Sequence, residues 1–371
     1  MKAAIKVITV LGTRPEMIRL SKLIQCLDAD SRFIHKYVHT GQNDHPQLRD
    51  VFFADLGLRQ PDYLFQARQS TRSKTIHQMK KDIEGVIRKE KPQAFLVLGD
   101  TDSALTSEVA KQLNIPIFHM EAGNRCFDKR SPEEINRKLI DAMATYNLPY
   151  SIYGQENLEN EKLRSPIFIT GSPLYEVIMP HIQQVKDSKG LAAFNLKARQ
   201  YLIWSTHRAE HIDDEKVFRK LTNTLVAVAN HYPDKTILVT THPRLQKKLD
   251  GLNRVFPKNI VFHLPFGFID YLRLQYHSYA VLSDSGSIHE EADILGFHAI
   301  HLRRRHERKE AEVIPITYVS EFKTKLIIQY LKQLGAKPKR LRVKAYQEKY
   351  FSKKVANYIH GRLLENHPLI D

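Results

Sequence analysis

Cysteine is scarce in this chain. Only Cys26 and Cys126 occur in 371 residues. That is too few, and too widely spaced, for a disulfide framework, so a reducing cytoplasm is the expected compartment. Long apolar runs are missing as well. Stretches such as Ala94–Leu98 and Tyr279–Ser283 fall far short of the ~20 residues that span a bilayer. The opening residues Met1-Lys2-Ala3-Ala4-Ile5-Lys6 run straight into a strand-like pattern, without the apolar core or cleavage site of a signal peptide. There is no short-period repeat and no low-complexity tract. No His-Glu-x-x-His or paired-cysteine spacing suggests zinc, no Gly-x-Ser-x-Gly elbow suggests a serine hydrolase, and neither a Walker loop nor Gly-x-Gly-x-x-Gly is present. These absences leave an enzyme or binding protein without a membrane segment or a metal centre.

Negative charge is also in deficit. Lys and Arg number 57 against 41 Asp and Glu, a net charge of +16. Such a balance suits nucleic acid, an acidic surface or an anionic substrate. The excess is concentrated in Lys323–Lys354, with Lys337-Pro338-Lys339-Arg340-Leu341-Arg342 and Lys353-Lys354. No zinc-finger spacing, RNP-like motif or Gly-rich RNA loop accompanies it, so it reads as a solvated basic face, and nucleic acid is not the expected partner.

What is present is a β-α alternation. Strand signals fall at Ile5–Leu11, Phe33–His39, Ala94–Leu98, Pro116–Met120 and Ile167-Phe168-Ile169. Helical spacing falls at Glu16–Leu27, Pro46–Leu56, Thr75–Lys89 and Ser103–Leu113. The pattern restarts at Tyr201–Ser205, with strands at Thr236–Val239, Asn259–Phe262, Tyr279–Ser283 and His298–Leu302 and a final helix at Tyr346–Leu364. Short, continuously apolar strands separated by helices predict α/β architecture with parallel, doubly wound sheets. At this length two domains are the default. The sequence places them at 1–185 and 186–371, as two Rossmann-like parallel-sheet domains facing a cleft into which the strand ends point.

The candidate site residues sit just after strands. Gly12-Thr13-Arg14-Pro15-Glu16 is a turn into a helix, with Pro15 and Glu16 suited to the first turn and Arg14 beside an anion-favouring N-terminus; it also reads as an ordinary β-α turn. Gly99-Asp100-Thr101-Asp102-Ser103 offers Asp100, while Asp102 or Ser103 suits a helix N-cap. His119-Met120-Glu121-Ala122-Gly123 repeats the arrangement one strand on. Parallel neighbours lie about 4.8 Å apart, so Asp100 and Glu121 are expected in one cleft, a pairing that suits proton transfer. Ser131-Pro132-Glu133-Glu134-Ile135-Asn136-Arg137 starts a helix, where Glu133 reads either as a first-turn acid serving the dipole or as a third acid of the cleft. In the second half, Ser205-Thr206-His207-Arg208 and Thr241-His242-Pro243-Arg244 end strands with groups that suit a diphosphate, or are surface turns. Asp284-Ser285-Gly286-Ser287 before a helix reads as a phosphate nest, with Glu291 placed to accept from ribose hydroxyls.

Six of these motifs in this order resemble the UDP-N-acetylglucosamine 2-epimerase family. They are Gly12-Thr13-Arg14-Pro15-Glu16, Thr40-Gly41-Gln42, Gly99-Asp100-Thr101, His119 to Gly123, Pro132 to Arg137, and Asp284-Ser285-Gly286. The resemblance implies a glycosyltransferase-B-like fold and epimerisation at C2 of a UDP-sugar, by elimination of UDP and re-addition through a glycal. It implies Asp100, Glu121, Glu133 and His207 as catalytic residues. It implies Arg14, Ser285, Gly286 and Glu291 as substrate-binding residues, which Arg137, Arg208, His242 and Ser287 are expected to join, and it implies no metal or nicotinamide cofactor; a homodimer is the expected assembly. His119 to Asp128, Asn147-Leu148-Pro149-Tyr150, Thr170-Gly171-Ser172-Pro173 and Phe266 to Tyr271 are similar to a branch acting on UDP-2-acetamido-2,6-dideoxy-L-hexoses. Departures from the parent pattern are Arg19 for lysine, Asn43 and Ala142 where histidines are usual, and Lys309 within Glu307-Arg308-Lys309-Glu310.

Overall fold

The computed structural model describes residues 4–42, 52–128, 131–252, 254–303, 307–313, 317–320, 322–335 and 342–365. Asn43, most of the helix expected at Pro46–Leu56 and most of the basic run at Lys337–Arg342 lie outside the described residues.

The chain divides into two compact units, Met1–Met179 with Lys344–Asp371, and Pro180–Val343. Unit 1 holds a parallel sheet of β1 (Ile5–Leu11), β2 (Phe33–His39), β3 (Tyr63–Leu64), β4 (Ala94–Leu98), β5 (Ile117–Met120) and β6 (Tyr146–Leu148), in the order β3-β2-β1-β4-β5-β6. Unit 2 holds β7 (Tyr201–Ser205), β8 (Thr236–Thr240), β9 (Ile260–His263), β10 (Ala280–Ser283), β11 (Ala299–His301) and β12 (Thr317–Val319), all parallel, in the order β12-β11-β10-β7-β8-β9. Both are the same doubly wound order. The strands are apolar because helices cover both faces: every residue of β4 is buried, as are four of five in β7.

This order decides where a site can form. In each unit the winding reverses between the first and fourth strands, and ligands of such sheets bind beyond the carboxyl ends at that reversal. The reversal lies between β1 and β4 in unit 1, and between β7 and β10 in unit 2. Gly12 to Glu16 and Gly99 to Ser103 flank the first; His207-Arg208 and Asp284 to Ser287 flank the second.

Three strands escape the sequence reading: β3, β6 and β12, of two or three residues each. The strand expected at Ile167-Phe168-Ile169 reduces to one isolated bridge, Asn147 with Ile167, and the sixth position goes to Tyr146–Leu148. The helix expected at Ser103–Leu113 is a 3-10 turn, Ala104–Thr106, followed by Ser107–Gln112.

The helix Phe351–Glu365 belongs to unit 1. Phe351, Val355, Ala356, Ile359 and Leu363 are buried there. Tyr358 stacks on Phe168 at 4.2 Å, and Glu176 accepts from Ser352 N–H at 2.9 Å and from its hydroxyl at 2.7 Å. Ser172 N–H donates to Ala345 at 2.7 Å, so the motif Thr170 to Pro173 serves this return of the chain. Among the described residues no helix is long and apolar enough to cross a membrane.

Candidate active site

At the reversal in unit 1, Glu16 closes the turn after β1. Its carboxylate accepts from Gly12 N–H at 2.9 Å, Thr13 N–H at 2.8 Å and the Thr13 hydroxyl at 2.8 Å, and from the Thr101 hydroxyl at 2.7 Å. The Thr13 N–H bond is one half of a capping box on the helix Arg14–Ala29, whose other half is the Thr13 side chain accepting from Glu16 N–H. The Thr101 bond ties the end of β1 to the loop after β4. Burial pushes the Glu16 carboxyl up to about 7, against the lowering effect of these four donors. The sequence reading gave Glu16 only a dipole role. The Thr-x-x-Glu spacing signals the box, but nothing local signals Thr101. Gly12 is required by close approach, since a Cβ there would stand 2.0 Å from the Thr40 hydroxyl and 2.1 Å from that of Ser103. Arg14 starts the helix, half-buried, with its guanidinium 5.5 Å from the centre of the Phe52 ring.

Asp100 and Glu121 each face an arginine. Asp100 pairs with Arg137, whose other nitrogen lies 3.3 Å from Glu134. Asn136 donates to the Asp100 carbonyl at 2.8 Å. Glu121, just past β5, has φ +67, a left-handed conformation that costs a non-glycine residue about 1–3 kcal/mol and concentrates at functional sites. Its carboxylate accepts from Asn124 and from the Tyr150 hydroxyl, both at 3.2 Å, with Arg19 at 3.7 Å. Arg19 also lies over the Tyr150 ring at 5.7 Å. Asn124 and Tyr150 come from the branch motifs and Arg19 is a departure from the parent pattern; their meeting on Glu121 joins residues far apart in sequence, which no local pattern reveals. Glu133 accepts from the Ser131 hydroxyl at 2.7 Å. Its neighbour Glu134 is buried and accepts from Cys126 N–H at 2.9 Å and Phe127 N–H at 3.3 Å, so it holds the preceding loop.

A chain of ionisable groups runs from the buried His119, Asp141 and Arg125 to the partly exposed Glu161 and the exposed Lys138. His119 Nε2 lies 2.8 Å from the Gly99 carbonyl and Nδ1 2.8 Å from Asp141. Asp141 pairs with Arg125 at 2.7 Å, and Arg125 with Glu161 at 2.5 Å, where Lys138 also reaches at 2.9 Å. Ala142 is exposed beside it. The hydrogen bond from Arg125, with help from Lys138, lowers the Glu161 carboxyl to about 2. A depressed carboxyl pKa contributes stability that is full above the unfolded value and fades as pH falls through the folded one. Wild type should therefore exceed Glu161→Gln in urea midpoint at pH 7, with the difference closing as pH falls from about 4.5 to about 2. A difference independent of pH would contradict this ion-pair assignment.

In unit 2, Asp284 is fully buried after β10. It accepts from His207 N–H at 3.2 Å and Arg208 N–H at 3.1 Å, and lies 3.0 Å from His207 Nδ1 and 2.8 Å from His211 Nδ1. The loop beyond it differs from an open nest. Ser285 N–H bonds the Ser283 hydroxyl at 3.0 Å and Ser287 N–H the Ser285 hydroxyl at 3.3 Å. Ser287 donates to Glu291 at 2.7 Å, and Gln275 holds the other Glu291 oxygen at 2.6 Å. A Cβ on Gly286 would meet Glu307 at 2.5 Å; Arg303 pairs with that carboxylate at 2.9 Å and Arg208 lies 3.9 Å away. His207, Arg208, Ser285, Gly286, Ser287 and Glu291 thus form one connected group. His242 stands apart after β8 as the exposed N-cap of the helix Pro243–Asp250. Lys309 is exposed. Among the described residues, no group of His, Cys, Asp and Glu is arranged to hold a metal ion.

The chain matches the family model described as UDP-N-acetylglucosamine 2-epimerase over residues 25–364. It is 33% identical to a UDP-N-acetylglucosamine 2-epimerase of Methanocaldococcus jannaschii over 333 residues, covering 87% of this chain and 90% of the relative. The solved UDP-N-acetylglucosamine 2-epimerase of Rickettsia bellii superposes with a TM-score of 0.90 at 36% identity, covering 99% of both chains. A Methanocaldococcus jannaschii UDP-GlcNAc 2-epimerase, solved in complex with UDP-GlcNAc and UDP, gives 0.88 at 29% identity over 96% of this chain and 99% of that one. The two parallel-sheet units have the glycosyltransferase-B-like fold. Fold, motif order and relatives agree: this chain belongs to the UDP-N-acetylglucosamine 2-epimerase family and is an isomerase, a UDP-sugar 2-epimerase.

Proposed function

We propose that the enzyme inverts C2 of a UDP-2-acetamido-2,6-dideoxy-L-hexose by anti elimination and re-addition of UDP. The observation that carries this reading is the setting of Glu121. Asn124 and Tyr150, both from motifs of the 6-deoxy-L-sugar branch, bond its carboxylate directly. UDP-N-acetylglucosamine is the second reading, favoured by the names of the relatives.

The chemistry follows from the substrate. No carbonyl adjoins C2, so its proton is too weakly acidic for simple exchange. Loss of that proton becomes feasible when its bonding pair forms the C1–C2 double bond as the C1–O bond breaks and the pair on oxygen leaves with UDP. Return of UDP to C1 and of a proton to the other face of C2 completes the inversion. Asp100, Glu121 and Glu133 are the carboxylates for these proton transfers. Unit 2 holds the leaving diphosphate, with His207, Arg208 and Ser285 to Ser287 as its partners and Glu291 on the ribose.

Proton NMR in deuterated water tests the reaction. With a UDP-2-acetamido-2,6-dideoxy-L-hexose, the C2 epimer should accumulate carrying deuterium at C2; turnover of UDP-N-acetylglucosamine alone selects the second reading. Product that keeps its original C2 proton rules out elimination. Calorimetry tests the nucleotide site. Glu291→Ala should weaken UDP by about 1–3 kcal/mol, as for a lost charge-assisted bond to the ribose. Unchanged affinity would place the ribose elsewhere.

A further inference from the structure

The proposed reaction uses His207 but leaves open what state its ring is in. That state is set by Asp284, which is fully buried while the His207 side chain is 44% exposed. Four donors converge on this one carboxylate: the N–H groups of His207 and Arg208 and the Nδ1 atoms of His207 and His211. An ionised carboxylate has about four lone-pair sites and no proton to give, so these partners fill it. Burial alone would push the Asp284 carboxyl up, but the charges and hydrogen bonds of His207 and His211 override it and hold it well below the usual range. A ring nitrogen 3.0 Å from such an oxygen carries hydrogen. The Asp284 carbonyl in turn accepts from Arg208 Nε at 3.2 Å. One residue past β10 therefore orients both groups that end β7, across the reversal of the sheet.

We propose that Asp284 is a positioning residue that fixes His207 in its Nδ1–H form and leaves Nε2 alone to face the substrate diphosphate. This rests on the reading of His207 given above. With Nδ1 tied to a negative charge, protonation at Nε2 yields an imidazolium stabilised from behind, a donor suited to a leaving diphosphate. His211 is the second partner of the same carboxylate. It is buried with its ring edge-on to Phe322 at 4.8 Å, and it keeps the carboxylate from turning away from His207.

Histidine-selective ¹⁵N labelling of the full-length enzyme, with long-range ¹H–¹⁵N spectra at a pH where the rings are neutral, reads the tautomer directly. The signal missing from His207→Gln assigns the ring. The expected spectrum has a protonated Nδ1 and an unprotonated Nε2 for His207; a protonated Nε2 overturns the proposal. The second measurement uses Asp284→Asn, whose amide must turn its own N–H groups toward a set of donors. The expectation is a loss of the single Nδ1–H form and a fall in kcat of about 10²-fold or more, with a smaller rise in UDP Kd because Arg208 is oriented by the same residue. Unchanged kcat with an unchanged His207 tautomer also overturns it. Should that variant not fold, the wild-type spectrum still decides. The spectrum needs no turnover, so failure of the deuterium experiment and failure of this proposal are separate results.

Discussion

Asp100→Asn, Glu121→Gln and Glu133→Gln should each lower turnover by about 10²–10⁴-fold, the usual contribution of a general acid or base. UDP affinity should stay nearly constant, because the three acids belong to unit 1 and the proposed diphosphate and ribose partners to unit 2. The loss should appear in kcat before KM, as expected for an interaction made mainly in the transition state. The surroundings separate the three. Asp100 and Glu121 are each braced by an arginine, Arg137 and Arg19, and Glu121 also by two hydrogen bonds and a left-handed backbone. Glu133 is held by Ser131 at the start of its helix. Steady-state kinetics with calorimetric UDP titration decide the assignment. If Glu133→Gln keeps full turnover while the others fall, Glu133 serves the helix dipole; if all three keep it, the chemistry lies on other residues.

The largest stability change is expected for Arg125→Ala, at about 3–5 kcal/mol. Arg125 and Asp141 have no side-chain exposure. Removing the guanidinium leaves a buried carboxylate, with His119 and Gly123 N–H as remaining neighbours. The cost comes from stranding that charge, more than from losing the attraction. Urea unfolding followed through unit 1 should show it as a lower midpoint, and a loss under about 1 kcal/mol would mean that water reaches the pair. The effect should spread to activity, because Asp141 holds Gly123 N–H and His119 holds the Gly99 carbonyl, the backbones next to Glu121 and Asp100.

Residue types and their places at strand ends were legible in the sequence, because buried parallel strands are continuous runs such as Ala94–Leu98 and each run stops at a Gly, Asp or His-rich turn. Strands of two or three residues, such as Tyr63–Leu64, carry no such run. Partnerships were not legible. Asp284 reads as the first residue of a phosphate loop, yet its carboxylate turns to His207 and His211, more than 70 positions earlier. Thr170 to Pro173 reads as a substrate-class marker, yet Ser172 docks the returning chain. Such pairings depend on which strand lies beside which, and composition and spacing do not encode that.

The return of the chain has a consequence for synthesis. Unit 2 is inserted within unit 1, which is covalently interrupted between Met179 and Lys344. Domains tend to fold in the order they leave the ribosome. Here the first unit to emerge must wait. Until Phe351, Val355 and Ile359 are made, the apolar surface they cover stays open, while the whole of unit 2 lies in one uninterrupted stretch, Pro180–Val343. Unit 2 should therefore reach its folded state first on the nascent chain, and the exposed face of unit 1 is where a chaperone would bind in the interval.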